Sequence, residues 1–399
     1  MAQLHPDPTD PTALAGYLRA QATEFLRALR LHRETGAGAA ASEGSVEAAR
    51  ALRRAARRVS ASLHTFQPVL DPDWSEAMRP ELAWVSATLA LEHTYTSRLN
   101  QLLQALHRLS GAPPLPPRGA AAPRTTIPAG MTLTAAADGE NAPQGPPAPD
   151  HETRTGGAGG NGFPAEGAAE AERRTATATL TGTADRKVTA PDRGNLTVGA
   201  AKAGALLDRQ LTLARTRAHS TALQALGSSR FHAIADKVAV LASEVPLSPA
   251  ATAPGADLRP LADAARERLA DAVAALPLLT AGSPYNAEAL IHGLSPDPAP
   301  HPQDAPWHQV RLLLRLHRYA LEVLHAGPDP TLLAAGEALD RHRDASEAAA
   351  AAAQAARTPR IAPATAYALG VLHADQRHEV EAARYAFQRA WRKEAAGTL

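Results

Sequence analysis

Residues 111–195 are rich in proline, glycine, alanine and threonine, and this segment limits most strongly what the chain can fold into. It begins GAPPLPPRGAAAPR and later contains TGGAGGNGFPAEG, so large apolar side chains are sparse and no helical or strand periodicity persists. Such a segment buries too little apolar surface to offset an ordering entropy of roughly 1–2 kcal/mol per residue. We therefore predict a disordered insert between two folded halves, residues 1–110 and 196–399.

Both halves have the apolar spacing of helices. Over residues 12–33, Leu14, Leu18, Phe25 and Leu29 recur on one face at the 3.6-residue period. The same reasoning predicts helices over 45–66, over two closely spaced segments between Asp73 and Leu109, and over 198–226, 229–244, 257–276, 304–326, 331–357 and 363–396. No alternation of strands with helices is visible, and alanine, the commonest residue, lets helices approach closely. We predict an all-α fold built from compact bundles.

The sequence lacks the features of several functional classes. Because it contains no cysteine, a disulfide scaffold, a cysteine-ligated zinc site and thiol catalysis are excluded. Metalloprotease, phosphate-loop and nucleophile motifs are also missing, so we predict neither an enzyme nor a bound metal or cofactor.

The ends and the overall charge give further expectations. The first residues, MAQLHPDPTDPT, lack the basic start and apolar run of a signal peptide, and no stretch is apolar enough to span a bilayer. We therefore expect a cytoplasmic protein without a membrane partner. A net charge of +1 and only 4% aromatic residues make nucleic acid an improbable partner, so any anion site must come from local clustering.

One local cluster lies in residues 45–66, SVEAARALRRAARRVSASLHTF. Arg50, Arg53, Arg54 and Arg57 stand at i, i+3, i+4 and i+7, so they share one helix face, with Arg58 at its edge. No acid follows Arg54, Arg57 or Arg58 by four residues. Unpaired guanidiniums on one helix repel each other by a few tenths of a kcal/mol per pair. Either acids from another helix or an external polyanion must compensate this repulsion.

A second basic stripe follows in residues 304–324, where His308, Arg311, Arg315 and Arg318 lie opposite a leucine-rich face. A shift of 258 positions places His308, Arg311 and Arg315 on Arg50, Arg53 and Arg57. This correspondence indicates two related halves, each with one basic helix. Two such helices facing each other would form a basic groove, and the guanidinium fork of arginine binds phosphate in a bidentate way.

These helices resemble those of the CHAD family, the conserved histidine α-helical domain. Residues 50–71, RALRRAARRVSASLHTFQPVLD, are similar to the family's first basic helix, of the form H-x-x-R-V-x-x-R-R-L-R-x-x-L-R-x-F-x-P-L-L-D. The matching positions are Arg53, Arg57, Arg58, Leu63, Phe66, Pro68, Leu70 and Asp71. Residues 308–319, HQVRLLLRLHRY, resemble the family's second basic helix, H-E-x-R-K-x-x-K-R-L-R-Y. The matching positions there are His308, Arg311, Arg315, Arg318 and Tyr319.

Three shorter segments extend the resemblance. SSRF at 228–231 is similar to the family's S-P-R-Y turn. LDRHRD at 339–344 corresponds to L-G-x-H-x-D and places His342, and YALGVLHADQ at 367–376 resembles Y-G-x-L-H-G-R and adds His373. The resemblance covers roughly residues 12–110 and 196–395, everything except the insert.

The resemblance implies two four-helix-type bundles related by approximate two-fold symmetry, with a basic channel between them that binds inorganic polyphosphate. It also implies a binding module and not an enzyme. The predicted polyphosphate-binding residues are Arg50, Arg53, Arg54, Arg57, Arg58, His308, Arg311, Arg315, Arg318, Tyr319, His342, His373, Lys202 and Arg209.

This chain departs from the family pattern at several positions. Arg50 replaces the first defining histidine, and Leu312 and Leu316 replace basic residues. An alternative is therefore a helical scaffold or protein-interaction module whose anion site has decayed, with acidic side chains covering the stripe of Arg50–Arg58. A phosphohydrolase is a third possibility, although no metal-binding carboxylate cluster is evident in the sequence.

Overall fold

Helices form nearly all of the chain that the structure, a computed structural model, describes: residues 9–36, 43–111, 190–253, 255–283, 287–294, 301–324 and 329–397. The α-helices are α1 Pro11–Gly36, α2 Glu43–Thr65, α3 Pro72–Ser110, α4 Ala190–Leu226, α5 Ser229–Ser243, α6 Arg259–Ala274, α7 Leu278–Ala281, α8 Ala287–Gly293, α9 Ala305–Leu324, α10 Pro330–Ala356 and α11 Pro363–Gly397. Within these ranges there is no β-strand, only a single bridge between Leu70 and Leu247. The predicted all-α class is confirmed.

The predicted helix boundaries hold to within a few residues in most cases, with three corrections. The insert predicted over 111–195 lies outside the described residues except at its ends, where α4 already begins at Ala190 and Gly111 ends α3. The short helices α7 and α8 were not predicted. None of the described helices is long and apolar enough to cross a membrane.

The third correction concerns α3, which is one helix of 39 residues where two were predicted. Asp71 caps it by accepting a hydrogen bond from the Trp74 backbone N–H at 2.8 Å. The helix continues because its two apolar runs pack into different cores: Leu82 belongs to one buried cluster and Leu102 to another.

The described helices form two sets with the same order of neighbours. In the first set α1 packs on α2, α2 on α3 and α3 on α4, and in the second set α6 packs on α9, α9 on α10 and α10 on α11. The first set thus includes α4, which follows the predicted insert and was expected in the second half. The two sets meet where α2 contacts α9 and where α4 contacts α11. In this order α2 and α9 hold equivalent places, as the repeated basic stripe predicted. The two helices are also in contact.

Four buried apolar clusters hold the helices of the described part of the chain in place, three of them large and one a small contact of Ala61 on α2 with Leu316 and Tyr319 on α9. The first contains Phe25 and Phe66, and the third is centred on Trp307 and Phe387, all nearly or fully buried. The second cluster joins α3, α4, α10 and α11 and consists half of leucines and half of alanines, for example the fully buried Leu102 and Ala352. Small side chains let helix backbones approach at the short end of the usual spacing of about 8–10 Å.

The closest of these approaches involves Gly199 of α4. A Cβ placed on Gly199 would lie 2.1 Å from the backbone oxygen of Ala364 and 3.3 Å from the Cβ of Ala368, both on α11. A side chain therefore cannot be added there without moving the two helices apart.

We predict that Gly199→Ala destabilises the protein by about 1–3 kcal/mol, because the added methyl group overpacks the contact with α11. Gly16→Ala in α1 is the matched control, since a Cβ there meets no atom within 4 Å. This control should stabilise the fold by about 0.5–1 kcal/mol through higher helix propensity. Denaturant unfolding of both variants gives the two values, and equal effects of the two substitutions would contradict the packing described.

Candidate functional site

The two basic helices bury their apolar faces and turn their arginines toward each other. On α2 the buried side chains include Leu52, Val59 and Leu63, and on α9 they include Val310 and Leu314. Each helix therefore has a fixed rotation about its axis, because these apolar residues recur at helical spacing and pack into the cores. The arginine stripes occupy the remaining faces.

The stripes of α2 and α9 line one cavity of about 180 Å³, which we call the basic cavity. Its lining residues are Arg54, Arg57, Arg58, Arg311, Leu314, Arg315, Arg318, Tyr319, Gly336 and Asp340. Six arginines thus face one small space, while the lining contains one carboxylate, that of Asp340.

Asp340 of α10 compensates part of the charge from α9. The Arg311 Nε donates a hydrogen bond to Asp340 Oδ1 at 2.5 Å, and the Arg315 Nη2 lies 3.8 Å from the same oxygen. The Asp340 side chain is 54% exposed, whereas those of Arg311 and Arg315 are only 16% and 22% exposed. One half-exposed carboxylate therefore serves two largely buried guanidiniums.

Glu322 of α9 compensates the other end of the cavity. Its carboxylate accepts a hydrogen bond from Arg58 Nε at 2.8 Å and another from the Tyr17 hydroxyl at 3.2 Å, and it lies 3.8 Å from Arg318 Nε. Burial is the largest single influence on Arg58 and acts against its charge, but the hydrogen bond to Glu322 and the Coulombic attraction of Glu322, Tyr17 and Tyr319 together raise the pKa of Arg58. The guanidiniums of Arg58 and Arg318 lie over the Tyr319 ring, with their central carbons 5.5 and 5.2 Å from its centroid.

Arg53 and Arg57, at the centre of the α2 stripe, form no salt bridge with any described residue. In the described part of the chain Arg57 Nε donates only to the Arg53 backbone oxygen, at 3.3 Å, and the buried Arg53 Nε has no hydrogen-bond partner. Burial, with repulsion from Arg57 and Arg343, lowers the pKa of Arg53 to about 10. The centre of the stripe therefore has no salt bridge to a described carboxylate, and Asp340 offsets the charge of Arg57 only at longer range.

The pKa values of the facing arginines are shifted in the same direction. Burial is the main cause that lowers the pKa of Arg57, Arg311 and Arg315, and repulsion from neighbouring guanidiniums adds to it. Arg343 of α10 contributes to this repulsion at each of the three. An anion entering the cavity would relieve both the desolvation and the repulsion.

The N-terminal end of the α2 stripe has its own acid. Glu47 lies 2.8 Å from Arg54 Nη2 and 3.6 Å from Arg50 Nη1, on an exposed face of the helix. No acid follows Arg54 by four residues, but Glu47 precedes Arg50 by three residues and Arg54 by seven. Arg50 does not line the basic cavity.

His342 is buried and not available to a ligand, in contrast to its predicted place in the groove. It is 1% exposed, its ring stacks on Trp307 with centroids 5.6 Å apart, and its Nε2 accepts a hydrogen bond from Arg384 Nε at 3.3 Å. Beside it the fully buried Asp304 accepts hydrogen bonds from Arg377 and Arg384, each at 2.7 Å. His342 therefore belongs to a structural network behind the site.

His308 and His373 lie by a second, larger cavity of about 860 Å³. The His308 ring is 5.4 Å from the ring of His342, and His373 Nδ1 lies 3.0 Å from the Ala349 backbone oxygen. Arg311 lines both cavities, so the two are adjacent.

Lys202 and Arg209 are exposed on α4 and line neither cavity. The physical reason is that α4 packs against α3 and α11, away from α2 and α9. The structure thus brings together Arg54, Arg57, Arg58, Arg311, Arg315, Arg318 and Tyr319 of the predicted set. Their binding role stays a prediction.

Sequence reasoning missed the two carboxylates that face the arginines, Asp340 and Glu322. The sequence does contain a signal for Glu322, because this residue follows Arg318 by four positions on the same helix, the spacing of an ion pair. Asp340 comes from another helix, and no local spacing relates it to Arg311. In the described part of the chain no group of three or more histidine or acidic side chains could hold a metal ion.

Comparisons with known proteins confirm the family that the sequence resembles, although the matched residues include most of the predicted insert and end before the segments 339–344 and 367–376. A family model described as CHAD domain matches residues 20–155 and 159–334. Among solved structures, PptA from Streptomyces chartreusis is 60% identical in sequence, with a TM-score of 0.67, over 96% of this chain and 99% of that one. No curated protein matches this chain.

The buried network predicts a pH dependence of stability. Burial lowers the pKa of His342 to about 4, from about 6.5 in the unfolded chain. Between these values the unfolded state binds a proton that the folded state does not, so stability falls as the pH drops from about 6.5 to about 4. The loss from this residue amounts to roughly 3 kcal/mol.

In His342→Gln the free energy of unfolding should depend less on pH between about 6.5 and 4. The loss of stability below about pH 4 should remain, because it comes from carboxyls such as Asp304. Burial opposes the charge of Asp304, but the groups around it, His342 and Arg377 foremost, hold its pKa well below the ordinary range. Urea unfolding at a series of pH values measures both limbs. An unchanged slope between pH 6.5 and 4 in the variant would refute the assignment to His342.

Proposed function

The chain belongs to the CHAD-domain family, and from that premise we propose that it binds inorganic polyphosphate in the basic cavity, as a binding module and not as an enzyme. The ligand would lie between α2 and α9, in contact with Arg57, Arg311 and Arg315. Arg54, Arg58 and Arg318 would hold its flanking phosphates.

The observation that carries this proposal is that positive charge at the centre of the cavity is only partly compensated. Arg57 is largely buried and has no carboxylate partner among the described residues, while Arg311 and Arg315 share one half-exposed acid. A fold that only needed structural arginines would pair them, because removing a guanidinium from water without a counter-charge is costly. A phosphate chain supplies that counter-charge.

Binding would follow from the chemistry of the guanidinium fork. Each arginine presents N–H donors in a plane that matches two phosphate oxygens, and such charge-assisted hydrogen bonds are about twice as strong as neutral ones. Because α2 and α9 contribute arginines from opposite sides, successive phosphates would be held from both helices. Release of counterions from the polyphosphate would add to the affinity at low salt.

The second candidate is a helical scaffold or protein-interaction module whose anion site has decayed. Its support is that Glu47, Glu322 and Asp340 already pair with arginines of the two stripes. It predicts no polyphosphate binding at any salt concentration, and it predicts that removal of an internal acid changes nothing except local stability.

We predict that the double variant Arg57→Gln/Arg315→Gln binds long-chain polyphosphate at least about 100-fold more weakly than the unmodified chain. The reason is that two buried charge-assisted contacts, each contributing about 1.5–3 kcal/mol, are lost. Lys202→Gln/Arg209→Gln is the matched control, because it removes the same charge from the exposed face of α4. Its affinity should change by less than about threefold.

Isothermal titration at one fixed salt concentration measures both affinities, and circular dichroism checks that each variant folds. Equal losses in the two double variants would indicate that net charge alone drives binding. Undiminished binding by Arg57→Gln/Arg315→Gln would place the ligand elsewhere.

We predict that Asp340→Asn strengthens polyphosphate binding by about 5- to 10-fold. Asp340 competes with the ligand for Arg311 and Arg315, and its half-exposed side chain is not needed for packing. The control is Asp344→Asn, which makes the same charge change four residues along α10, where the acid pairs with Arg343 outside the basic cavity. The same titration compares the two, and a gain of equal size in Asp344→Asn would rule out specific competition by Asp340.

A further inference from the structure

The larger cavity extends as a groove along one face of α10. Arg343, Glu347, Ala350, Gln354 and Arg357 line it at steps of four and three residues, the spacing of a single helix face. At a rise of 1.5 Å per residue these positions span about 21 Å. The volume of about 860 Å³ is typical of pockets for small organic ligands.

The middle of this groove is apolar. Its walls there are formed by alanines of α10, among them Ala349, Ala350 and Ala353, and by Leu369 and Gly370 of α11. Ala350 and Ala353 are partly exposed to the groove. Such a wall offers methyl groups and no hydrogen-bond donors, so a bare phosphate chain lying along it would lose hydration without gaining partners.

The end of the groove next to Arg311 carries the most basic side chains, and Arg357 lines the opposite end. His308, Arg311, Arg343 and Arg98 line the more basic end, together with Glu347, which pairs with both Arg98 and Arg343. Because Arg311 also lines the basic cavity, a ligand bound in that cavity would extend into this end of the groove. A ligand that fits both spaces therefore has phosphates at one end and a largely apolar body at the other.

We infer that the site takes phosphate chains that carry a nucleoside at one end, with the phosphates in the basic cavity and the nucleoside against the alanine wall of α10. A flat base packs well on small methyl groups. Gln354 and His373 line the same groove and offer hydrogen-bonding side chains that match a base edge or a ribose, whereas an acyl chain would leave them without partners. This inference rests on the proposed phosphate site at Arg57, Arg311 and Arg315.

The test compares ATP with inorganic tripolyphosphate, which carries the same number of phosphates without the nucleoside. Each competes against labelled long-chain polyphosphate on the full chain, without divalent cations and at equal ionic strength. Charge alone would make tripolyphosphate the tighter ligand, since it carries more negative charge. We expect ATP to bind about tenfold more tightly, because the nucleoside adds contacts along α10.

Two variants fill the groove and one serves as a control. Ala350→Trp and Ala353→Trp each place a large side chain against the alanine wall, whereas Ala334→Trp places it on an exposed position of α10 that lines neither cavity. Each groove variant should abolish the advantage of ATP and leave tripolyphosphate affinity within about twofold. Ala334→Trp should keep the advantage, and thermal melts identify any variant that fails to fold.

Two results would overturn the inference: ATP weaker than tripolyphosphate on the unmodified chain, or an ATP advantage that survives in both groove variants. Failure of long-chain polyphosphate to bind at all would instead overturn the proposed function. The two failures are thus distinguished by different ligands in one assay.

Discussion

Repulsion between guanidiniums is the interaction on which the site depends. The cores fix the rotation of α2 and α9, and this rotation forces six arginines into one cavity. Two carboxylates, those of Asp340 and Glu322, offset part of the repulsion, but Arg53 and Arg57 stay without an acidic partner among the described residues. Burial, and after it repulsion from neighbouring guanidiniums, lowers the pKa of Arg53 and Arg57, and a ligand that brings negative charge would relieve both effects.

Close packing of the other helices stabilises the fold against the repulsion between these arginines. Small side chains such as Ala352 and the contact at Gly199 bring α4, α10 and α11 close together, so the scaffold behind the site is tightly packed. The buried network of Asp304, Arg377 and Arg384 shows how the same chain treats arginines that have a structural role: each donates to a buried carboxylate at 2.7 Å. The contrast with Arg57 distinguishes a structural arginine from one left available to a ligand.

Local spacing predicted the helices and the two basic stripes, because both depend on the 3.6-residue period. Local spacing could not predict features that depend on which helices pack against each other. The apolar runs of α3 belong to two cores, so one helix resembled two. His342 follows a family motif, but its burial against Trp307 was invisible in the sequence. Lys202 and Arg209 were misplaced because nothing local shows that α4 packs on α11. Asp340 was missed for the same reason.

The central claim is that positive charge in the basic cavity is held open for a polyanion, and the salt dependence of polyphosphate binding tests it most directly. With about six arginine contacts, the logarithm of the binding constant should fall linearly with the logarithm of salt concentration. The affinity should drop by about a hundredfold or more between about 50 and 200 mM. No measurable binding at the lowest salt, or an affinity that stays constant across the series, would contradict the account.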